Sequence, residues 1–200
     1  MITTSGYVCL PCRGPAKHSL TQTLALSYWC FHYTKRILET FFVHKFSHST
    51  MPLANLYRNC AYYWLFAGYV AYFINHPFYT APPVNQTHAA FTIAIICQLF
   101  NLVCHIMLAG LRTGSSSGYV IPRGFLFEYI TAPNYTTEIC GWVSFTIATQ
   151  SLPAALFTFV GAAQMGQWAV AKHARLRQLF DGRDGRPKYP RRWIMLPPLF

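Results

Sequence analysis

The sequence alternates long apolar runs with short segments rich in proline, glycine and charge. From Asn59 to Leu111 there are 53 residues without an Asp, Glu, Lys or Arg, and from Ile139 to Ala171 another 33. A hydrocarbon core about 30 Å thick takes roughly 20 apolar residues per crossing helix, so these two stretches hold about three or four spans. A first helix is predicted from about Leu20 to Phe46, packed with aromatics in SYWCFHY and then carrying the basic pair Lys35 and Arg36. After Pro52 the run NCAYYWLFAGYVAYFIN makes a second span, and Asn75 to Pro77 with Pro82 and Pro83 make a loop. A third span is expected from about His88 to Leu111. The polar loop RTGSSSGYVIPRG, the short piece FLFEYI and then APNYTTE lead into a last apolar region. Pro153 divides that region into two helices, roughly Glu138 to Ser151 and Pro153 to His173. The pattern predicts an all-α, polytopic membrane helix bundle of about five to six transmembrane helices.

Composition agrees. The 200 residues are 53% hydrophobic, 17% aromatic and 10% charged, where about a quarter charged is usual in a soluble domain. That excludes a disordered chain, a disulfide scaffold and an ordinary cytosolic enzyme. Sixteen Lys and Arg against five Asp and Glu give a net charge of +11, which alone would suit nucleic acid or an anionic membrane surface. Eight of the sixteen follow Ala171, so the charge marks a cytosolic C-terminal tail, residues 172–200, facing membrane lipids rather than nucleic acid. Residues 1–17 have no periodicity and no signal-peptide pattern and read as a leader ahead of a membrane domain over 18–200. Seven cysteines are scattered; Cys9 and Cys12 form a lone CLPC with no second ligand pair, which reads as terminus rather than zinc site. Of the sequons at Asn85 and Asn134, the second falls among the candidate site residues and reads as chance.

The polar residues inside apolar runs carry the functional signal. Gln98, Asn101 and His105 recur at helical spacing and share one face. Asn134, Tyr135 and Glu138 sit between two hydrophobic regions, and with Asn101, His105 and Arg112 they are expected at one level. Such groups either hydrogen-bond one another to fix packing or hold a ligand. Their grouping beside two glycine-containing loops favours the ligand. No GxGxxG follows a strand and no P-loop is present, so a dinucleotide would lie inside the bundle, its phosphates met by Arg112, Arg123, Lys172, His173 and Arg175. No metal site is expected: the eight His contain no HExxH, and His44 and His48, though spaced for one face, flank Lys45 and read as solvated interface.

Four segments, WCFHYTKRILETFFVHKFSHSTMPLANLYRNCAYYW, NHPFYTAP, GYVIPRGFLFEYITAPNYTTEICGW and KHARLRQLFDGRDGRPKYPRRWIMLPPLF, make the chain resemble the very-long-chain trans-2-enoyl-CoA reductases of the steroid 5-alpha-reductase superfamily over most of residues 18–200, with an ending closer to plant or algal members. The resemblance implies a multi-pass endoplasmic reticulum membrane protein that reduces trans-2-enoyl-CoA with NADPH, the last step of each very-long-chain fatty acid elongation cycle, working beside other elongation enzymes. It implies Tyr135 as the catalytic tyrosine, Asn101, Arg112, Asn134 and Glu138 as cofactor contacts, and, through the FHYxKR pattern, Tyr33, Lys35 and Arg36 as the site's other wall. The family carries a ubiquitin-like domain and a first helix with a functional glutamate ahead of this region, so the chain reads as an N-terminally truncated relative. Two further positions differ: Leu176 stands where animal members have a tyrosine, and His105 where steroid reductases have an acid.

Reducing an enoyl thioester needs hydride at Cβ and a proton at Cα, with negative charge building on the thioester oxygen between them. Tyr135 is the expected proton donor, with Lys35 or Arg36 as its neighbouring cation and Tyr33 in support. Lys172 and His173, on the basic tail, complete the expected cofactor contacts. The competing readings are a non-catalytic membrane subunit of the elongation complex and another reductase of the superfamily.

Overall fold

The computed structural model describes residues 18–45, 50–112, 119–183, 185 and 187–198; Cys9, Cys12 and His48 lie outside them. Among the described residues the fold has five α-helices: α1 (Leu20–Phe42), α2 (Leu53–Ile74), α3 (Val84–Gly110), α4 (Pro133–Thr149) and α5 (Leu152–Leu179), with a 3₁₀ turn at Phe125–Glu128 before α4. Among the described residues there is no strand, only two isolated bridges, Ile130 with Trp193 and Asp181 with Lys188.

Local chemistry sets the ends. Ser19 and Gln22 form a reciprocal capping box at the start of α1, Gln22 N–H donating to Ser19 Oγ at 3.3 Å and Ser19 N–H to Gln22 Oε1 at 2.7 Å. The helix stops at Phe42 rather than Phe46 because the His44 N–H turns back to the Glu39 carbonyl at 2.7 Å. Proline, expected to end elements, here also begins them. Pro52 and Pro83 immediately precede α2 and α3, Pro133 opens α4, and Pro153 lies in the first turn of α5, where the missing N–H costs no helical bond. Asn134 and Tyr135 therefore lie on the first turn of α4, ahead of its expected start at Glu138.

The most extensive packing is between α3 and α4; α5 lies along α4, α1 contacts both α3 and α4, and α2 leans on α5. Alanines 25, 90, 94, 148 and 154 are buried, and such small residues let helices approach closely. Around them stands an aromatic tier: Tyr28 and Phe145 stack at 5.6 Å, Trp29 meets Trp142 at 5.1 Å, and Trp142 meets Phe157 edge-on at 4.8 Å. Side chains from other elements satisfy helix-end carbonyls that would otherwise stay unpaired. Gln22 Nε2 donates to Ile74 O at 2.8 Å, Gln86 Nε2 to Ile147 O at 2.9 Å, and Tyr79 Oη to Thr149 O at 2.7 Å. Burial pushes the Tyr79 phenol up to about 12, so it remains a donor through neutral pH.

The outer surface is apolar: Phe41, Phe42, Trp64, Leu65, Phe78 and Phe159 are all exposed. Patches of this extent mark a membrane or protein contact. Of the described helices α3 alone is long and apolar enough by composition to cross a membrane; the polar residues it shares with its neighbours face inward.

Gly141 on α4 is closely covered by α1. A Cβ there would lie 2.9 Å from the Tyr28 hydroxyl, and Tyr28 is locked by three rings and by Gln98. Gly141→Ala is expected to cost about 1–3 kcal/mol through overpacking, read as a lowered thermal midpoint of the detergent-solubilised chain. An unchanged midpoint would show that Tyr28 swings aside freely.

Candidate active site

Tyr28, His32, Lys35 and Glu39 recur along α1 at spacings of four, three and four and are all buried, a polar stripe turned toward α3 and α4. On α3 the facing residues are Gln98, Asn101 and His105, also buried, as the spacing predicts. The two stripes join in a continuous network. Gln98 Nε2 donates to Tyr28 Oη at 2.8 Å and to His32 Nδ1 at 2.9 Å. His32 then carries its proton on Nε2, which faces Glu138 Oε1 at 3.3 Å. One turn on, Lys35 Nζ donates to Asn101 Oδ1 at 2.6 Å and to Glu39 Oε1 at 3.0 Å, while Asn101 Nδ2 donates to the backbone carbonyl of Asn134 at 2.9 Å. Three helices are thus tied through one ammonium and one amide.

Glu39 was not anticipated, and it is the hub. Only 2% exposed, it accepts from Lys35 on one oxygen and, on the other, from Arg36 at 3.2 Å and His105 at 3.0 Å. Its ligand atoms and those of His44 and His105 lie within 4.8 Å of one another, a donor set with metal-binding chemistry that no motif announced, since His44 and His105 come from distant parts of the chain. Arg36 Nη1 stands among the three, 3.4 Å from both His44 Nε2 and His105 Nδ1, so a guanidinium takes the place a cation would fill. Burial, with His105 and Arg36 alongside, holds His44 below the ordinary histidine range, leaving its ring a neutral acceptor. The signal that could have revealed Glu39 was the four-three-four spacing on α1.

Of the expected residues, Lys35, Asn101, Asn134 and Glu138 meet in this tier. Tyr33 packs beside it, edge-on to His32 at 4.9 Å and to Tyr63 at 5.9 Å. Tyr135 faces α5 and the C-terminal segment, its ring 6.2 Å from Trp168 and packed with Ala132, Ile139, Ala169 and Met195. Its hydroxyl makes no hydrogen bond among the described residues, and Arg36, rather than Lys35, is the cation within electrostatic reach.

Arg112 is not at this level. It lies eleven residues beyond Asn101, about 16 Å along the helix axis, is exposed, and donates to the Lys45 carbonyl. Lys172 lies within electrostatic reach of Arg112, whereas His173 meets Thr131 Oγ1 at 2.7 Å and Tyr189 edge-on, and Arg175 covers the Tyr119 ring at 4.4 Å. The basic groups expected for phosphates form a rim, and the tier lies deeper.

The last residues hold the start of α4. Thr131 N–H donates to Trp193 O at 2.8 Å, Ala132 N–H to Ile194 O at 3.1 Å and Trp193 N–H to Tyr129 O at 2.9 Å, while Thr136 Oγ1 donates to Met195 O at 2.8 Å. The segment carrying Asn134 and Tyr135 is clamped from both sides.

Glu39→Ala is expected to cost about 3–5 kcal/mol, because it leaves the buried Lys35 without a counter-charge beside the half-exposed Arg36. The measurement is the thermal midpoint in detergent. A shift no larger than that of an exposed acid such as Glu128→Ala would show that the cations reach water instead.

The profile of the family described as 3-oxo-5-alpha-steroid 4-dehydrogenase matches residues 49–200. A very-long-chain enoyl-CoA reductase of Dictyostelium discoideum is 48% identical over 180 residues, 90% of this chain and 58% of that protein. A trans-2,3-enoyl-CoA reductase-like protein of Homo sapiens is 37% identical over 180 residues, 84% of this chain and 50% of that protein. The chain spans about half to three-fifths of the length of these curated relatives.

Proposed function

The chain belongs to the 3-oxo-5-alpha-steroid 4-dehydrogenase family, and from that premise we propose that it carries the reducing site of a very-long-chain enoyl-CoA reductase, saturating the trans-2 double bond of an enoyl-CoA with NADPH as reductant. One observation carries the reading: a buried polar tier joins Lys35, Asn101, Asn134 and Glu138 next to an unbonded phenol, Tyr135, that has a guanidinium, Arg36, within electrostatic reach. A tier built only for packing would consume its own donors and acceptors, and this one leaves several open.

The residues fit the cofactor. Asn134 Oδ1 is buried without a hydrogen-bond partner among the described residues, and a carboxamide N–H is the group it lacks. Glu138 and Asn101 line the same tier, Arg36 borders it, and Arg112, Lys172 and His173 supply the cationic rim suited to phosphates. When bound, NADPH supplies the hydride to Cβ. The chain's own residues handle charge and proton. Tyr135 Oη donates to the enolate-like centre as charge builds on the thioester, and Arg36 steadies the phenolate left behind. Lys35, pinned by Glu39, keeps Asn101 turned to α4. The aromatic tier of Trp29, Trp142, Phe145 and Phe157 closes the deep end to water, and Tyr33 forms the opposite wall.

The proposal extends to the setting. Five helices serve as membrane spans, supported by outward apolar side chains on each, such as Phe42, Trp64, Leu99, Val143 and Phe159. The chain resides in the endoplasmic reticulum membrane beside other fatty acid elongation enzymes, with its basic C-terminal tail in the cytosol.

Tyr135→Phe is expected to lower turnover about 100- to 1000-fold at saturating NADPH and trans-2-enoyl-CoA, since one donor to the developing charge is lost. Turnover near wild type with reduced stability would make Tyr135 structural and pass the donor role to Tyr33. A tag on the C-terminus should be cleaved by protease added outside sealed microsomes; a protected tag would reverse the topology.

A further inference from the structure

Three side chains from two segments far apart in the sequence converge on one point at the edge of the polar tier. The α1 helix ends at Phe42, and the His44 N–H turns back to the Glu39 carbonyl at 2.7 Å, which folds the His44 ring over the helix end toward Glu39. His105 reaches the same place from the last turns of α3, its Nδ1 3.0 Å from Glu39 Oε2 and its ring edge-on to His44 at 4.9 Å. One carboxylate oxygen and one nitrogen from each imidazole lie within 4.8 Å of one another. Each can offer a lone pair, and the group they surround is Arg36 Nη1, 3.2 Å from Glu39 Oε2 and 3.4 Å from both His44 Nε2 and His105 Nδ1.

The guanidinium fills that point without satisfying it. A terminal guanidinium nitrogen carries two protons in one plane, and here it faces three lone-pair atoms. His105 cannot accept from it while its own Nδ1 proton is donated to Glu39, and with that proton on Nε2 instead, Nδ1 and Glu39 Oε2 face each other as two acceptors. A divalent cation draws on all three lone pairs at once. Two imidazoles and one carboxylate are a recurring zinc set, with a fourth position left to water, and imidazole disfavours Mg²⁺ and Ca²⁺, which take oxygen shells. The support behind the ligands is already in place: Lys35 Nζ holds Glu39 Oε1 at 3.0 Å, which leaves Oε2 for a metal. Glu39 and His105 are buried, whereas the Arg36 side chain is 38% exposed and His44 half-buried. The guanidinium therefore has a route out to water and an ion a route in. Zinc bonds of about 2.0–2.1 Å set tetrahedral ligand atoms about 3.4 Å apart. The widest gap then has to close by about 1 Å, a movement open to the His44 ring beyond the helix end.

We propose that Glu39, His44 and His105 form a binding site for a divalent transition-metal ion of the zinc class, and that this ion and the Arg36 guanidinium are alternative occupants of it. As the ion enters, Arg36 withdraws toward water and the His105 proton passes from Nδ1 to Nε2, leaving Nδ1 to ligate. The site stands independently of the reductase reading. Its consequence for the chemistry rests on that reading, because an ion here removes from the tier the cation set within reach of Tyr135.

The probes are Zn²⁺, Co²⁺ and Mg²⁺ alone, titrated onto the untagged, detergent-solubilised full chain, with Zn²⁺ read by competition against a chromogenic chelator and Co²⁺ by its visible spectrum. A Zn²⁺ site is expected for which Mg²⁺ does not compete. His44→Asn and His105→Asn are each expected to weaken it at least about tenfold, since losing even a partner behind a metal ligand costs about 10- to 100-fold. Arg36→Ala should act in the opposite direction and tighten Zn²⁺ about tenfold or more, because the competing occupant no longer holds the site closed to it. Co²⁺ should show tetrahedral ligand-field bands without thiolate charge transfer, and His44→Asn should abolish them. If His105→Asn does not fold, His44 and Arg36, which are both partly exposed, decide. Absence of Zn²⁺ binding, equal binding of Mg²⁺, or Zn²⁺ affinity unchanged in His44→Asn overturns the proposal. So does unchanged or weaker binding in Arg36→Ala, or a thiolate-type cobalt spectrum that His44→Asn leaves as it was. Because every readout is metal binding, failure here leaves the reductase reading standing, and a chain that reduces no enoyl-CoA leaves this site standing.

Discussion

Glu39 is one of five acidic residues in a chain of net charge +11, and it is buried where cationic and imidazole groups from two helices converge. A carboxylate in that position is tolerable only while its partners stay in place, and they are tolerable only while it does. The register of α1 against α3 follows from this, because Lys35 must reach Glu39 and Asn101 at once, and Glu39 must reach His105. Asn101 passes the constraint to α4 through the Asn134 carbonyl. In a lipid setting apolar burial does little to choose one helix pairing over another, since tails are as apolar as leucine. Directional polar contacts therefore carry specificity that a soluble core draws from shape and water together.

The bundle is layered along its axis. Rings of Tyr28, Trp29, Trp142, Phe145 and Phe157 close one end, the tier around Glu39 and Glu138 occupies the middle, and Arg112 and Lys172 form a cationic rim at the other. His32 links the first two layers, packed on Trp142 at 4.8 Å and bonded to both Gln98 and Glu138. The C-terminal residues turn back, through Trp193, Ile194 and Met195, as a clamp on the start of α4. A segment that reads as a solvated tail thus bears on the position of Asn134 and Tyr135. The same clamp buries Arg192, a cost in isolation, and brings an aromatic and basic surface beside the site.

Helix identity was legible because uncharged runs of this length admit few alternatives. Helix ends were less so. Proline reads as a stop, yet Pro133 opens α4, since its fixed φ suits a first turn as well as a break; Asn134 and Tyr135, expected ahead of a helix beginning at Glu138, lie on that helix. The grouping of Gln98, Asn101 and His105 followed from spacing alone, and Lys35, Asn134 and Glu138 joined them as the resemblance implied. Arg112 did not, because a helix rises about 1.5 Å per residue and eleven residues separate it from Asn101. Glu39 belongs to no motif, and the set it forms with His44 and His105 has no short spacing to betray it.

The sequence by itself determined the apolar, all-helical character, the order of the helices and the face that α3 turns inward, because those depend on local apolar content and on the 3.6-residue period. It also determined which kinds of chemistry were present, since Tyr135, the amides and the cations are visible as residues. Only the tertiary structure decided which cation serves which acid, that Lys35 and Arg36 both close on Glu39 while Lys35 also holds Asn101, and that the Arg192 side chain is buried between Pro122 and Tyr189. Those outcomes depend on distances between segments far apart in the chain. They are set by how three helices settle around one buried carboxylate, and nothing local encodes that.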